Sequence, residues 1–236
     1  MISVDLQNME RYKHYSFDLW CTLIRSNPES KRLVCEYIYN TYASSTHTLQ
    51  FVCDAIRDVD LRCTRYCEIS GMHVDSSMMI FMIFEKIGWC PSCADIQNVQ
   101  DKYNSFFLEN MPYLYDNHTK HVLNILFERG AALNILSNTG FISGDILNKV
   151  LKKLEILDYF DDTMYSDFYK IAKPNPEFFQ KMVKYAIEFH PNELMMVKRS
   201  DILHVGDNPI ADGGSEAVGI KFFQINTNDK TILDLL

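Results

Sequence analysis

"YSFDLWCTLI", residues Tyr15 to Ile24, places an aspartate after a short run of strand-forming residues. Residues 14–19 read as a buried β-strand, so Asp18 sits close to its carboxyl end. Thr22 and Leu23 follow at fixed offsets. A second carboxylate two residues after Asp18 would complete an acid–base pair, but Trp20 stands there instead.

The pattern changes on the carboxyl side of this stretch. From Ser26 to about Tyr115, apolar residues recur at helical spacing in "RLVCEYIYNTY", "LQFVCDAIRDVDLRCTRYCEI", "SMMIFMIFEKIG" and "IQNVQDKYNSFFLENM". This block is expected to be all helical. After Tyr115 the chain alternates. "NHTKHVLNILFERG" is a helix closed by Gly130, and "AALNILSN" a buried strand. "SGDILNKVLKKLEIL" is a helix with Leu147, Val150, Leu151 and Leu154 on one face. "DDTMYSD" is a short strand, and "PNPEFFQKMVKYAIEF" a helix opened by prolines. "DILHVGD" is a strand, "PIADGGSEAVG" a helix and "IKFFQIN" a last strand. Strands alternating with helices imply a parallel sheet with right-handed crossovers, a doubly wound α/β core. Residues 27–115 are then a helical insertion after the first strand, and residues 1–26 and 116–236 form the core.

Composition narrows the partners. The chain has 236 residues, 47% of them hydrophobic, and a formal charge of -8. Such a charge speaks against nucleic acid or an anionic membrane surface as a partner. The longest apolar run, "MMIFMIF" at 78–84, is too short to span a bilayer. No apolar segment with a cleavage site opens the chain, and the seven cysteines are odd in number and crowded into the first half. Reduced thiols in a cytoplasmic protein are the expectation.

Ligands of open parallel sheets bind beyond the carboxyl ends of the strands. Asp18, Ser137, Asn138, Gly206 and Asp207 all fall there. Lys173 follows the short strand, and Asp212 comes five residues after Asp207. Three carboxylates, a hydroxyl and a lysine on one edge suit phosphoryl transfer. An aspartate can attack phosphorus, Mg²⁺ accepts carboxylate and carbonyl oxygens, and a lysine balances the charge. Ser137 or Thr22 can donate to a phosphoryl oxygen.

Four motifs in order, "FDLWCTL", "ILSNT", "KPNPEFF" and "HVGDNPIAD", resemble those of the haloacid dehalogenase-like (HAD) hydrolases. The resemblance covers residues 14–26 and 116–225. It implies a Rossmann-like core with an all-helical cap at the insertion. It implies Asp18 as nucleophile, with Ser137 and Lys173 in the catalytic set. It further implies Thr22, Asn138 and Trp20 as substrate-binding residues. The metal ligands would be Asp18, Asp207, Asp212 and the backbone carbonyl of Trp20. The expected substrate is a small phosphorylated metabolite and the expected cofactor Mg²⁺. The first motif departs from the family's phosphatases, because Trp20 replaces an acid–base aspartate and Cys21 the usual glycine. It is more similar to the 2-haloacid dehalogenases, which carry an aromatic residue at that place but lack the paired acids of the fourth motif. Dehalogenation is the first alternative. The second is a weakened member of the fold that binds a phosphorylated ligand or protein.

Some residues carry two readings. Trp20 is either a water-excluding lid contact or a stacking or halide-contacting surface. Asp212 is either a metal acid or a carboxylate at a helix start. Lys170 lies three residues before Lys173, and the "KPNP" context selects Lys173. "GWCPSC" at 88–93 is expected to open a helix through Pro91 or Ser92 rather than to act in redox chemistry. Cys63, Cys67, Cys90 and Cys93 have a spacing that permits zinc, with free thiols preferred. Arg57, Arg62 and Arg65 form either a solvated helix face or an anion clamp. His47 and His73 have no partner identifiable from the sequence.

Overall fold

The computed structural model describes residues 12–188, 196–225 and 229–236. The amino-terminal residues 1–11, the expected end of the proline-opened helix at 189 and the last residue of the final expected strand lie outside these.

β1 (His14–Phe17) is buried along its whole length, as befits a central strand. After Asp18 the chain turns tightly: Leu23 and Ile24 both donate to the Leu19 carbonyl. Cys21 takes φ 54 in this turn, the left-handed region that glycine favours. β2 (Ile24–Arg25) leads into four helices. α1 (Pro28–Ile38) has proline in its first turn and Asn27 as cap, whose side chain accepts from the Glu29 amide. α2 (Leu49–Ser70) is capped by Thr48 and ends at Gly71, φ 66. A Cβ at Gly71 would also come within 2.7 Å of the Asn175 side chain. α3 (Ser76–Lys86) follows. α4 (Cys93–Glu109) opens with a Ser92–Asp95 capping box, the helix start expected of "GWCPSC".

β3 (Tyr113–Leu114) then pairs antiparallel with β2, Ile24 opposite Leu114. The insertion therefore leaves and re-enters the core through a two-stranded ribbon. This corrects the all-helical reading of the stretch from Ser26 to Tyr115. Two-residue strands are shorter than the alternation by which strands are recognised. The block also contains a π-helical turn at Tyr39–Ala43.

The core continues with α5 (Thr119–Glu128), β4 (Ala132–Ser137), α6 (Gly144–Lys153), β5 (Asp162–Tyr165), the short α7 (Ser166–Tyr169), α8 (Pro176–Glu188), β6 (Ile202–Gly206) and β7 (Lys221–Gln224). Gly130 lies just past α5 at φ 78. The sheet is five-stranded in the order β5-β4-β1-β6-β7, all parallel, with Phe17 in register between Ile135 and Val205. The segment expected as a helix after Asp207 is a 3-10 helix, Asp212–Val218. The adjacent Gly213 and Gly214 lower its α-helical propensity.

Both faces of the sheet are covered. Phe17, Leu133, Ile135 and Val205 pack with Val122 and Leu126 of α5 and Leu147 and Val150 of α6. Leu136, Met164 and Ile202 pack with Phe178, Phe179, Met182 and Val183 of α8. Strand residues with the opposite parity to Phe17 include polar ones. His14 hydrogen-bonds Asn134 at 2.8 Å, and His204 Nδ1 lies 3.1 Å from Ser16 Oγ. No described helix is long and apolar enough to cross a membrane.

The insertion is docked on the core through polar contacts. Asn208 Nδ2 donates to Glu68 of α2 at 3.0 Å. Gln100 of α4 donates to the Phe141 carbonyl at 2.9 Å. The Ala172 amide donates to the Gly71 carbonyl at 3.0 Å.

Candidate active site

The order of the strands brings the acids together. Asp18 follows β1 at the centre of the sheet, Ser137 ends the neighbouring β4, and Asp207 follows β6 on the other side. One oxygen each of Asp18, Asp207 and Asp212 fall within 4.8 Å of one another. Gly206 makes room for this approach: a Cβ there would lie 2.3 Å from the Asp212 carboxylate.

Lys173 lies between two of the acids, Asp18 and Asp212. Its Nζ lies 2.7 Å from Asp18 Oδ1 and 2.5 Å from Asp212 Oδ1, and its side chain is 1% exposed. Asn138 pins the backbone beneath it. Asn138 Oδ1 accepts from the Lys173 amide at 2.7 Å, and its Nδ2 donates to the Lys173 carbonyl at 3.0 Å. Lys170, by contrast, is exposed and pairs with Asp75. Ser137 Oγ donates to Asp18 Oδ1 at 3.0 Å and is fully buried. Asp212 is held on its other sides by His204 Nε2 at 3.1 Å and the Asn208 amide at 3.0 Å.

Electrostatics divide the three acids. Burial pushes the Asp18 carboxyl above its ordinary value; Lys173 opposes this and Asp212 adds to it. Burial also pushes Asp212 up, but Lys173 and His204 together hold it below the carboxylate range. Burial, then Asp18 and Asp212, lift Asp207 to about 7. Lys173 is pushed down by burial, yet the two flanking carboxylates keep its acidity weaker than that of a free lysine. One ammonium thus faces three acids. That imbalance, with oxygen donors only, suits a hard divalent cation, which would lower the acids' proton affinity.

The cluster opens into a cavity of about 500 Å³, lined among others by Asp18, Trp20, Asn138, Lys173, Asp207 and Asp212. Trp20 is half-buried in its wall, and its ring meets Phe107 of α4 edge-on at 6.0 Å. Thr22 is not brought to this place. It is fully buried, its hydroxyl has no hydrogen-bond partner among the described residues, and it lines a separate small cavity with Tyr115 and Ile232. The tight turn after Asp18 faces it away. Asn138 does line the cavity, but its amide is committed to Lys173.

His204, Asn208 and Glu68 are parts of the site that the motif reading missed. A histidine at an inward strand position, in "HVGDN", was the available signal for His204. Glu68 comes from the insertion, and nothing local marks it. Arg62 and Arg65 pair with Asp58 and Glu68 along their own helix, and no arginine of α2 lines the cavity. The cysteines do not gather: Cys63 and Cys67 are buried on α2, while Cys90 and Cys93 are exposed. Among the described residues, the aspartate triad is the one group of His, Cys, Asp or Glu side chains close enough to share a metal. His47 contacts the Ile87 carbonyl and stacks on Phe51, and His73 contacts Ser166.

The sequence pattern of the haloacid dehalogenase-like hydrolases matches residues 36–225. No curated protein sequence matches the chain. Solved structures resemble it at low identity. A magnesium-bound protein of Bacillus subtilis described as a HAD-hydrolase is 18% identical with a TM-score of 0.70, over 93% of this chain and 91% of its own. A predicted phosphoglycolate phosphatase of Haemophilus somnus is 15% identical with a TM-score of 0.62, over 97% and 92%. The L-2-haloacid dehalogenase of Xanthobacter autotrophicus is 17% identical with a TM-score of 0.59, over 92% and 80%. The structures share the fold, and the matched pattern spans most of the chain: this protein belongs to the haloacid dehalogenase-like hydrolases.

Proposed function

We propose that the protein is an Mg²⁺-dependent phosphate-ester hydrolase acting on a small phosphorylated metabolite through Asp18. The observation that carries this is the triad Asp18, Asp207 and Asp212, whose oxygens converge within 4.8 Å. Three converging acids suit a cation and a phosphoryl group, and suit an uncomplexed halide poorly. Asp18, Asp207, Asp212 and the Trp20 carbonyl would hold the ion, which when bound supplies charge neutralisation at the phosphoryl oxygens.

An Asp18 oxygen attacks phosphorus, the ester P–O bond breaks, and the leaving group departs as an alkoxide or phenoxide with its electron pair. Water then attacks the aspartyl-phosphate, releasing phosphate and regenerating the carboxylate. Ser137 orients Asp18 through its hydrogen bond and Lys173 balances charge at the reacting oxygen. Asn138 is a positioning residue, holding Lys173 through its backbone.

A second reading, hydrolytic dehalogenation of a 2-haloacid, is favoured by one observation, the Trp20 ring in the cavity wall. The two are separated by assaying p-nitrophenyl phosphate hydrolysis with Mg²⁺ and with chelator, alongside chloride release from 2-chloropropionate. Metal-dependent phosphate release is expected. Chloride release that persists with chelator and is lost in Asp18→Asn would establish the second reading instead.

A further inference from the structure

Away from the aspartates the cavity lining is mostly apolar, with Val34, Val74, Met79, Phe107 and Ile142 among its residues. Its polar lining residues include Asp60 on α2 and Tyr103 on α4, alongside Arg25, Lys31 and Glu68. Tyr103 is 8% exposed and stacks on Phe141 with ring centroids 4.6 Å apart. Its hydroxyl has no hydrogen-bond partner among the described residues. Burial holds this phenol protonated, with Cys35 and Asp60 adding to the effect, so it remains a donor as well as an acceptor. A buried polar group without a partner is costly, and binding sites are where that cost recurs.

Asp60 likewise has no ion-pair or hydrogen-bond partner among the described residues. It stands over the Gly140 loop, where a Cβ on Gly140 would lie 3.9 Å from its Oδ1. Burial pushes its carboxyl up, and the Lys31 ammonium offsets this in part. Asp60 lines the same cavity as Asp18, from α2 of the insertion.

We propose that Asp60 and Tyr103 recognise the leaving group of the substrate, a short and mainly apolar chain carrying a hydrogen-bond donor, either an ammonium or a hydroxyl. The inference rests on the phosphate-ester reading for what lies at Asp18. The apolar walls accept the carbon chain. The Asp60 carboxylate accepts from the donor and is itself stabilised by a cation. The Tyr103 hydroxyl gains the partner it lacks.

The test is calorimetric binding of non-hydrolysable phosphonates to the Mg²⁺-loaded protein. The ligands are n-alkyl-, ω-hydroxyalkyl- and ω-aminoalkylphosphonates of three to five carbons, measured on wild type, Asp60→Asn and Tyr103→Phe. In wild type, the best hydroxyl or amino ligand is expected to bind about tenfold or more tightly than its alkyl counterpart. A larger gain for the amino ligand identifies an ammonium, and a larger gain for the hydroxyl ligand identifies an alcohol. Asp60→Asn should abolish most of the amino preference. Tyr103→Phe should reduce the preference while leaving the melting temperature equal or higher, because it deletes an unpaired buried hydroxyl; a structural hydroxyl would give a lower one. Equal binding of all three ligand types, or none, overturns the proposal. Preference for the donor ligands without hydrolysis of p-nitrophenyl phosphate supports the pocket and removes the hydrolase reading. Hydrolysis without that preference does the reverse.

Discussion

Lys173 Nζ stands 2.7 Å from Asp18 Oδ1, and neither side chain is more than a tenth exposed. A buried ammonium between two buried carboxylates is a structural member as well as a chemical one. Removing one partner from such a group leaves uncompensated charge and typically costs about 3–5 kcal/mol. Lys173→Met should therefore lower the melting temperature, measured with chelator, by roughly 6–20 °C for a chain of this size. The sign of the pH dependence follows from Asp212, which Lys173 and His204 hold below its ordinary value of 3.8 despite burial. That stabilisation is present above the ordinary carboxylate value and is lost as pH falls through the folded one. The penalty of Lys173→Met should shrink as the solution is acidified. A penalty unchanged by pH would show that the loss is one of packing alone.

Asp207 is the member of the triad without a lysine contact, and burial raises its carboxyl to about 7. A group lifted in this way has most to gain from a neighbouring cation. Asp207→Asn should weaken Mg²⁺ binding by an order of magnitude or more in calorimetry, with folding intact by circular dichroism. Unchanged affinity would move the metal away from the triad and take the hydrolase mechanism with it.

His73 links the insertion to the core. Its Nδ1 lies 3.0 Å from Ser166 Oγ, which itself accepts from the Thr139 amide at 2.8 Å. With that acceptor role filled, Ser166 is suited to donate to a neutral His73. Burial lowers the His73 value below 6.5, Asp75 and Asp167 raise it, and Lys170 lowers it. The unfolded chain therefore takes up the proton first. Stability is fully present above about 6.5 and falls as pH drops below it, by at most about 1.4 kcal/mol per pH unit for one proton. Buried His204 shifts in the same direction, so His73→Asn should remove only part of the slope. Denaturant titrations at pH 7.5 and 5.5 measure it, and an identical pH dependence in the variant would exclude His73 as a contributor.

Most of the sheet was legible because its strands are buried runs punctuated by helices with marked starts. "AALNILSN" and "DILHVGD" cannot sit as half-exposed strands, and β4 and β6 are buried throughout. The ribbon of β2 and β3 was not legible. Its two pairs, Ile24 with Leu114 and Arg25 with Tyr113, are made across the whole insertion. Asp18, Lys173 and Asp212, which the structure brings into contact, could be grouped from the sequence because each follows a strand at the carboxyl edge of the sheet. Thr22 was misplaced because offset along a tight turn does not set direction. Glu68 and Asp60 were invisible because a helix 22 residues long, Leu49–Ser70, offers many polar positions, and docking against the core decides which of them meet the cavity.

The last prediction concerns Trp20. Its ring packs against Phe107 at 6.0 Å and lines the cavity beside Asp18. A positioned acid–base group contributes about 10²–10⁴-fold, and no such carboxylate stands two residues after Asp18. Attack by Asp18 can still proceed when the leaving group needs no proton, so hydrolysis of the aspartyl-phosphate should be the slow step. The wild-type protein should turn over p-nitrophenyl phosphate weakly and alkyl phosphates, the proposed substrate class, more slowly still. Trp20→Asp removes an aromatic contact worth about 0.5–1.5 kcal/mol beyond its buried area, and stability should drop by at least that much. The same change supplies a carboxylate beside the nucleophile and should raise alkyl phosphate turnover about tenfold or more. Both enzymes are to be compared on both ester classes, with folding checked by circular dichroism. Fast cleavage of an alkyl phosphate by the wild type would mean that a residue elsewhere in the cavity already delivers the proton. The tryptophan would then be a wall of the site rather than the reason for slow chemistry.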